Sequence, residues 1–330
     1  MKIAVAGAGA WGTTLAGLCA RKGLDTALWC LEKEVEESIN ARSENHLYLP
    51  GIKLEETLFA SVDLTYCLDG AECLILAIPT QHLRTFLKEK KDLIPKDALI
   101  LNASKGIEKG SLQRPSQIIR EELGTVSIAA LSGPNLSKEV AAGLPAAAVI
   151  ASEFFDVAVK FQGILMSRDF RIYTSQDITG VEIGGALKNV IAIAAGACDG
   201  MQLGNNAKSA LMVRGIAEIT RLAVACGAKP ETMAGLSGIG DLITTCESEL
   251  SRNHYVGAEL VKGRSITDIL SNMKAVAEGV ETTGSAIALA RRSGIEMPIT
   301  NEVYEVLFNG KDVKEAMTSL MGRSAKSEVS

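Results

Sequence analysis

Lys2-Ile3-Ala4-Val5-Ala6-Gly7-Ala8-Gly9-Ala10-Trp11-Gly12 decides the fold. Lys2 to Ala6 reads as an apolar strand that runs straight into a glycine-rich turn, and Trp11 to Lys22 reads as a helix ended by Gly23. A bound pyrophosphate requires this order. Gly7 permits the tight turn, Gly9 lets the backbone approach the anion, and Gly12 lets the helix lie close on the sheet. The first N–H groups of that helix point at the negative charge. The chain is therefore expected to open with a Rossmann-like dinucleotide-binding fold.

Outward from this turn, Thr26 to Leu31 reads as a second strand. Further candidates are Leu74 to Ile78, Ala98 to Leu101, Ile128 to Leu131, Ala147 to Ile150 and Phe170 to Tyr173. They are separated by helix-like segments such as Pro115 to Leu123 and Phe154 to Met166, so residues 1–185 are expected to form a doubly wound α/β sheet. Ligands of such sheets bind beyond the carboxyl ends of the strands. Three loops there carry polar residues: Pro79-Thr80-Gln81, Ser104-Lys105-Gly106 and Ser132-Gly133-Pro134-Asn135. Lys105, between a strand and a glycine, suits a small anionic or carbonyl ligand and equally suits a solvated loop.

TGVEIGGALKNVIAIAAGACDG, Thr179 to Gly200, reads as a buried helix. Thr179 with Glu182 offers a capping-box start and Gly200 a stop, and the segment between is apolar on every side. Lys188 is the exception. It shares a helical stripe with Gly184, Gly185, Ala192, Ala195 and Gly196, small enough for a backbone or a ligand to come close. Burial depresses a lysine pKa towards the range where it exchanges protons. The plainer alternatives are a side chain that snorkels to solvent or pairs with Glu182.

Beyond this helix the pattern is helical only. Asn206 to Cys226, Ile266 to Met273, Thr282 to Arg292 and Thr300 to Phe308 are candidates, so residues 186–330 are expected to form an all-helical domain. Two motifs stand out within it: Gly238-Ile239-Gly240-Asp241, and Ser251-Arg252-Asn253. Arginine beside a hydroxyl and an amide suits a phosphate, whereas ordinary N-cap chemistry at a surface helix is the plainer reading.

Composition removes several classes. With 47% hydrophobic and 22% charged residues, the 330-residue chain is globular rather than disordered. Its apolar runs, such as Val190 to Cys198, fall short of a membrane span. The net charge of −5 argues against a nucleic-acid-binding surface. Seven scattered cysteines without a CxxC predict reduced thiols. His46, His82 and His254 lack metal-ligand spacing and read as surface or loop residues, so no metal is expected. Met1 leads directly into a strand, leaving no room for a signal peptide, and the expected location is cytoplasmic.

The motifs GAGAWG, SKGIE (Ser104 to Glu108), SGPN (Ser132 to Asn135), GALKNVIAI (Gly185 to Ile193), GLSGIGDLITTC (Gly235 to Cys246), SRN (Ser251 to Asn253) and EMPIT (Glu296 to Thr300) occur in this order. Together they resemble the NAD(P)-dependent glycerol-3-phosphate dehydrogenases across nearly the whole chain. The resemblance implies interconversion of dihydroxyacetone phosphate and sn-glycerol 3-phosphate for phospholipid synthesis, on a Rossmann domain followed by a helical domain, as a homodimer. It places the proton acceptor on Lys188. Substrate contacts fall on Lys105, Gly133, Asn135, Lys188, Asp241, Ser251, Arg252 and Asn253. Cofactor contacts fall on Ala10, Trp11, Lys105, Ser137, Arg252, Val276 and Glu278, beside Gly7, Gly9 and Gly12.

This chain departs from the bacterial pattern at three of these positions. Asn135 stands where Thr or Ser is usual, and Ser137 where Ala is usual. Leu31 stands where bacterial members commonly carry Arg or His to meet the adenosine 2′-phosphate, and ENHLYLPG (Glu44 to Gly51) is closer to NAD-using eukaryotic members. NADH is therefore expected to serve at least as well as NADPH. A related β-hydroxyacid or ketopantoate reductase would share the glycine turn but gives no reason for SRN with GIGDL. A non-catalytic dinucleotide sensor would have no use for Lys188.

Overall fold

A computed structural model describes residues 1–273, 276–325 and 327–328. The first half alternates β1 (Lys2–Ala6), α1 (Ala10–Arg21), β2 (Asp25–Trp29), α2 (Lys33–Arg42), β3 (Phe59–Ser61), α3 (Leu64–Leu68), β4 (Cys73–Leu76) and α4 (Thr80–Lys90). It continues with β5 (Leu99–Asn102), α5 (Pro115–Leu123), β6 (Ile128–Ser132), α6 (Ser137–Ala141), β7 (Ala146–Ala151), α7 (Phe155–Leu165) and β8 (Phe170–Ser175). These strands form one eight-stranded sheet in the order β3-β2-β1-β4-β5-β6-β7-β8. Every pairing is parallel except β6 with β7. The Rossmann-like expectation holds, with β3 as an edge strand that the hydrophobic pattern did not announce.

Alternation along β1 shows how the sheet is held. Ile3 and Val5 face one apolar layer with Leu15 of α1 and Phe161 of α7, while Ala4 and Ala6 face a second with Leu83 of α4 and Ile118 of α5. Both faces are covered, so β4 is buried along its whole length, CLIL. Register then aligns the strand ends: Ala6 lies beside Leu76, Leu76 beside Asn102, and Asn102 beside Ala130. The glycine turn, the Pro79–Gln81 turn and the Lys105 loop consequently leave the sheet along one rim.

The second half is helical: α8 (Ile178–Gly200), α9 (Gly204–Ala225), α10 (Pro230–Met233), a single π-helical turn (Leu236–Gly240), α11 (Asp241–Glu247), α12 (Arg252–Val261), α13 (Ile266–Ser271), α14 (Glu278–Arg292), α15 (Pro298–Asn309) and α16 (Val313–Met321). The helix α8 is enclosed. Ile183, Leu187 and Ile191 face one helical core, and Val190 and Ile193 face another. Its length and mean hydropathy of 1.4 would suit a membrane span, but 89% of that window lies inside the protein.

The start of α8 differs from the expected capping box. Asp177 is the N-cap, accepting from the Gly180 N–H at 2.9 Å, and its other oxygen accepts from the Lys229 N–H and the Thr232 hydroxyl. Glu182 is drawn away by long-range partners: Arg114 at 2.5 Å and both the N–H and the hydroxyl of Ser116. A buried carboxylate is better compensated by a guanidinium and two further donors than by one backbone N–H.

Of the small residues of α8, Gly185 admits the side chains of Ser132 and Lys105, while Gly184 and Gly196 admit protein backbone. A Cβ on Gly184 would lie 2.5 Å from the Ser237 carbonyl oxygen, and one on Gly196 only 1.9 Å from that of His254. From the opposite side, a Cβ on Gly257 of α12 would lie 1.9 Å from the Ile193 carbonyl oxygen. α8 and α12 thus cross backbone against backbone.

Candidate active site

The three glycines of the opening turn each meet a distinct constraint. Gly7 has φ 109°, and a Cβ there would sit 2.7 Å from the Ala77 carbonyl oxygen. Gly9 faces open space, whereas a Cβ on Gly12 would come within 1.8 Å of the Gly7 oxygen. No side chain caps α1 and its first turn carries no acid, which leaves its leading N–H groups to an anion. The residues therefore fit a dinucleotide pyrophosphate. Ala10 and Trp11 begin the helix, with Trp11 edge-on to Phe170 at 6.4 Å. Asn45 braces the turn by donating to the Ala8 carbonyl and the Thr13 hydroxyl, both at 2.8 Å. Motif spacing gave no signal for that brace.

Past the end of β2, Leu31 is 75% exposed and Cys30 is buried, its thiol pushed up to about 11 chiefly by that burial. The next residue, Glu32, accepts from the Tyr48 hydroxyl at 2.8 Å. A carboxylate rather than a cation is thus held near this turn.

Farther along the rim two lysines share one carboxylate. Lys188 is 7% exposed and Asp241 only 1%. Lys188 Nζ lies 2.5 Å from Asp241 Oδ1, and Lys105 Nζ lies 2.5 Å from Oδ2. Lys188 also donates to Thr245 Oγ1 at 2.5 Å, whose hydroxyl in turn donates to the Asp241 carbonyl. Lys105 donates in addition to the Gly133 carbonyl at 3.2 Å, and Ser132 Oγ lies 3.4 Å from Asp241 Oδ2. Burial lowers the Lys188 pKa to about 8; the Asp241 charge opposes the shift and the Lys105 charge adds to it. Neither snorkelling nor a pair with Glu182 occurs.

The SRN triplet is divided in its tasks. Ser251 is the N-cap of α12, its oxygen accepting from the His254 N–H. Asn253 donates to Asn189 Oδ1 at 2.9 Å and accepts from the Gly279 N–H at 3.0 Å, tying α12 to α8 and α14. Arg252 is exposed and, among the described residues, makes no hydrogen bond. Glu278, at the start of α14, has its carboxyl pushed up by burial, opposed by the Arg252, Lys105 and Lys188 charges and by the Thr80 N–H. Glu278 thus lies within electrostatic reach of the arginine and both lysines. A cavity of about 360 Å³ opens here, bounded by Thr80, Lys105, Gly106, Val276, Glu278 and Thr282.

Two site residues lie apart from this centre. The Asn135 amide is best satisfied by donating to the carbonyls of Pro134 and Ala147 at 3.1 and 3.3 Å. Ser137 opens α6, where its carbonyl accepts from the Thr14 hydroxyl at 3.2 Å. His254 is a correction: it is buried in α12, with Nε2 2.7 Å from Asp199 Oδ2, rather than on the surface. Its neighbours are the tightly packed α8 backbone and Asp199, which the local sequence does not bring near. Ser132 belongs to a loop that the sequence marks, whereas Thr245 is not singled out there because a hydroxyl one turn from a charged residue is common.

The profile of the NAD-dependent glycerol-3-phosphate dehydrogenase N-terminus matches residues 2–158, and that of the C-terminus matches residues 177–318. The chain belongs to the NAD-dependent glycerol-3-phosphate dehydrogenase family. It is 46% identical over 330 residues to a glycerol-3-phosphate dehydrogenase [NAD(P)+] of Citrifermentans bemidjiense, covering 99% of this chain and 98% of that one. For the Geobacter sulfurreducens protein of the same name the identity is 47%, with the same coverage. The crystal structure of a glycerol-3-phosphate dehydrogenase from Coxiella burnetii superposes with a TM-score of 0.94 at 38% identity, covering 98% of this chain and 99% of that one. A ketopantoate reductase from Ralstonia eutropha shares the fold at a TM-score of 0.61 and 16% identity. Dehydrogenases of the glycerol-3-phosphate family use NAD(P), and the glycine turn described above fits either form.

Proposed function

We propose that this chain reduces dihydroxyacetone phosphate reversibly to sn-glycerol 3-phosphate, the precursor of glycerophospholipids. The observation that carries the reading is the buried Lys188–Asp241–Lys105 bridge beside a cavity on the dinucleotide rim. The bound nicotinamide supplies the hydride at the C2 carbonyl. The oxygen left negative needs a proton and a positive surrounding. Lys188 gives the proton, and its depressed pKa lets it reload near neutrality. Lys105 orients the oxygen and Asp241 keeps both ammonium groups in register. Arg252, the member of SRN with an uncommitted side chain, takes the phosphate, and Ser251 and Asn253 fix the backbone that presents it. Binding energy from the remote phosphate then positions the carbonyl.

The same reading assigns dinucleotide binding to residues 1–185 and substrate binding to residues 186–330. It also makes NADH at least as good a donor as NADPH, because Leu31 offers no charge to a 2′-phosphate and Glu32 repels one. Seven free cysteines, all but Cys226 buried, support a reducing, cytoplasmic setting. The family resemblance supports a homodimer, for which light scattering is the test. Lys188→Ala is expected to fold and bind NADH while turnover falls at least about 100-fold, the usual scale of a general acid. Near-normal turnover in that variant, or oxidation of NADH with a ketoacid in place of dihydroxyacetone phosphate, would refute the proposal.

A further inference from the structure

The cavity beside Lys105 has two walls whose chemistry the proton-transfer scheme does not use. Thr80 opens α4 on the sheet side, and Thr282 lies in α14 on the helical side. They are 2% and 1% exposed, and both hydroxyl oxygens are shielded from solvent without a hydrogen-bond partner among the described residues. An unpaired buried hydroxyl carries its full desolvation penalty. Both face Gly106: a Cβ there would meet Thr80 Oγ1 at 2.9 Å and Thr282 Oγ1 at 3.5 Å. At φ 149°, Gly106 accordingly lets the Lys105 loop lie between them. Gln81, at the same wall, is already committed. It donates to the Ile107 carbonyl and accepts from the Lys109 N–H, each at 2.9 Å.

We propose that Thr80 and Thr282 are the hydrogen-bonding partners of the nicotinamide carboxamide, a specificity pair that clamps the ring from both domains. The inference rests on the dehydrogenase reading above. A ring in this cavity lies beyond the ends of β4 and β5, against the lysine that reaches Asp241. A carboxamide offers two donors and one acceptor, and a threonine hydroxyl can donate and accept. A turn of about 120° about χ1 carries the hydroxyl to another staggered position, so each oxygen can reorient without backbone movement. The two hydroxyls come from different domains. Ring binding therefore satisfies both at once, from the two sides of the Lys105 loop.

The test is calorimetric binding of NADH and of ADP-ribose, which lacks the ring, to the wild type, Thr80→Val, Thr282→Val and the two serine variants. Valine keeps the shape and removes the hydroxyl. Each valine variant is expected to weaken NADH about three- to tenfold, the loss of one neutral hydrogen bond, with ADP-ribose unchanged. Serine is expected to restore the wild-type ratio. Without ligand, each valine variant should melt at or above the wild-type temperature, since an unpaired buried hydroxyl has been removed. The proposal is overturned if the NADH to ADP-ribose ratio does not change, if both ligands weaken equally, or if the unliganded valine variants melt lower. It is also overturned if only the KM for dihydroxyacetone phosphate moves. Wild-type reduction of dihydroxyacetone phosphate tests the underlying reading separately, because it can succeed or fail whatever the ratio does.

Discussion

Asp241→Asn isolates the electrostatic task of the shared carboxylate. The substitution keeps the side-chain shape and an acceptor while leaving two ammonium groups beside a neutral amide. Lys188 is already lowered to about 8 by burial, and the Asp241 charge is the strongest influence holding it up. Loss of an opposite charge at hydrogen-bond distance is worth about one to three pKa units, so the midpoint should fall to about 5–7. At pH 7 the protonated share of Lys188 then drops from about nine-tenths to between about a half and a hundredth. Ketone reduction needs the protonated lysine. In the wild type its rate should fall as pH rises through about 8, and in the variant that limb should move down, slowing reduction at neutrality about 2- to 100-fold. The reverse oxidation needs the neutral amine, so its acid limb should move down with it. The assay is nicotinamide absorbance in both directions from about pH 5 to about pH 10 at constant ionic strength. A folded, NADH-binding variant whose alkaline limb stays at the wild-type position would refute the argument.

Gly12→Ala should damage the protein most severely at the nucleotide turn. Its Cβ would fall 1.8 Å from the Gly7 oxygen, a backbone atom that cannot yield, so a loss of at least about 1–3 kcal/mol in denaturant unfolding is expected, with NADH binding abolished. Arg252→Ala should weaken use of dihydroxyacetone phosphate at least about tenfold in kcat/KM, the value of a charged hydrogen bond, and unphosphorylated dihydroxyacetone should be a very poor substrate for the wild type. Equal activity on those two wild-type substrates would remove the phosphate role. Leu31→Arg should shift the kcat/KM ratio towards NADPH about tenfold or more; a wild type that prefers NADPH strongly and does not respond would place 2′-phosphate recognition elsewhere.

Much of the sheet is written in local pattern, because a parallel strand covered on both faces must be apolar and bounded by turns. Lys2–Ala6 and Pro115–Leu123 have the bounds expected of them. Edge strand β3 escaped because Phe59–Ser61 is too short to show alternation, and the reversed direction of β7 because an apolar run carries no sense of direction. Lys188 was conspicuous as a charge among apolar neighbours, yet its partners Asp241 and Thr245 lie more than 50 positions away. The same distance in sequence hid the true partners of Glu182 and His254. A cap can be read locally only while no remote group binds it better, and Arg114 does. Orphaned hydroxyls such as those of Thr80 and Thr282 leave no trace in sequence, since they are defined by partners they do not have.

The backbone-to-backbone crossing of α8 and α12 makes a fixed ruler. At Gly196 and Gly257 backbone meets backbone, with no side chain at those two points to compress or re-pack. Lys188 on one helix and Arg252 at the head of the other are therefore held at a constant separation. On the proposed reading, this separation measures the substrate from phosphate to reacting oxygen. An isomer such as glyceraldehyde 3-phosphate, whose carbonyl lies one carbon farther from its phosphate, would present its oxygen out of step with the lysine while still gripping the arginine. Such a compound should compete for the site without being turned over, and the discrimination would belong to the spacing of two helices rather than to any residue that touches the difference.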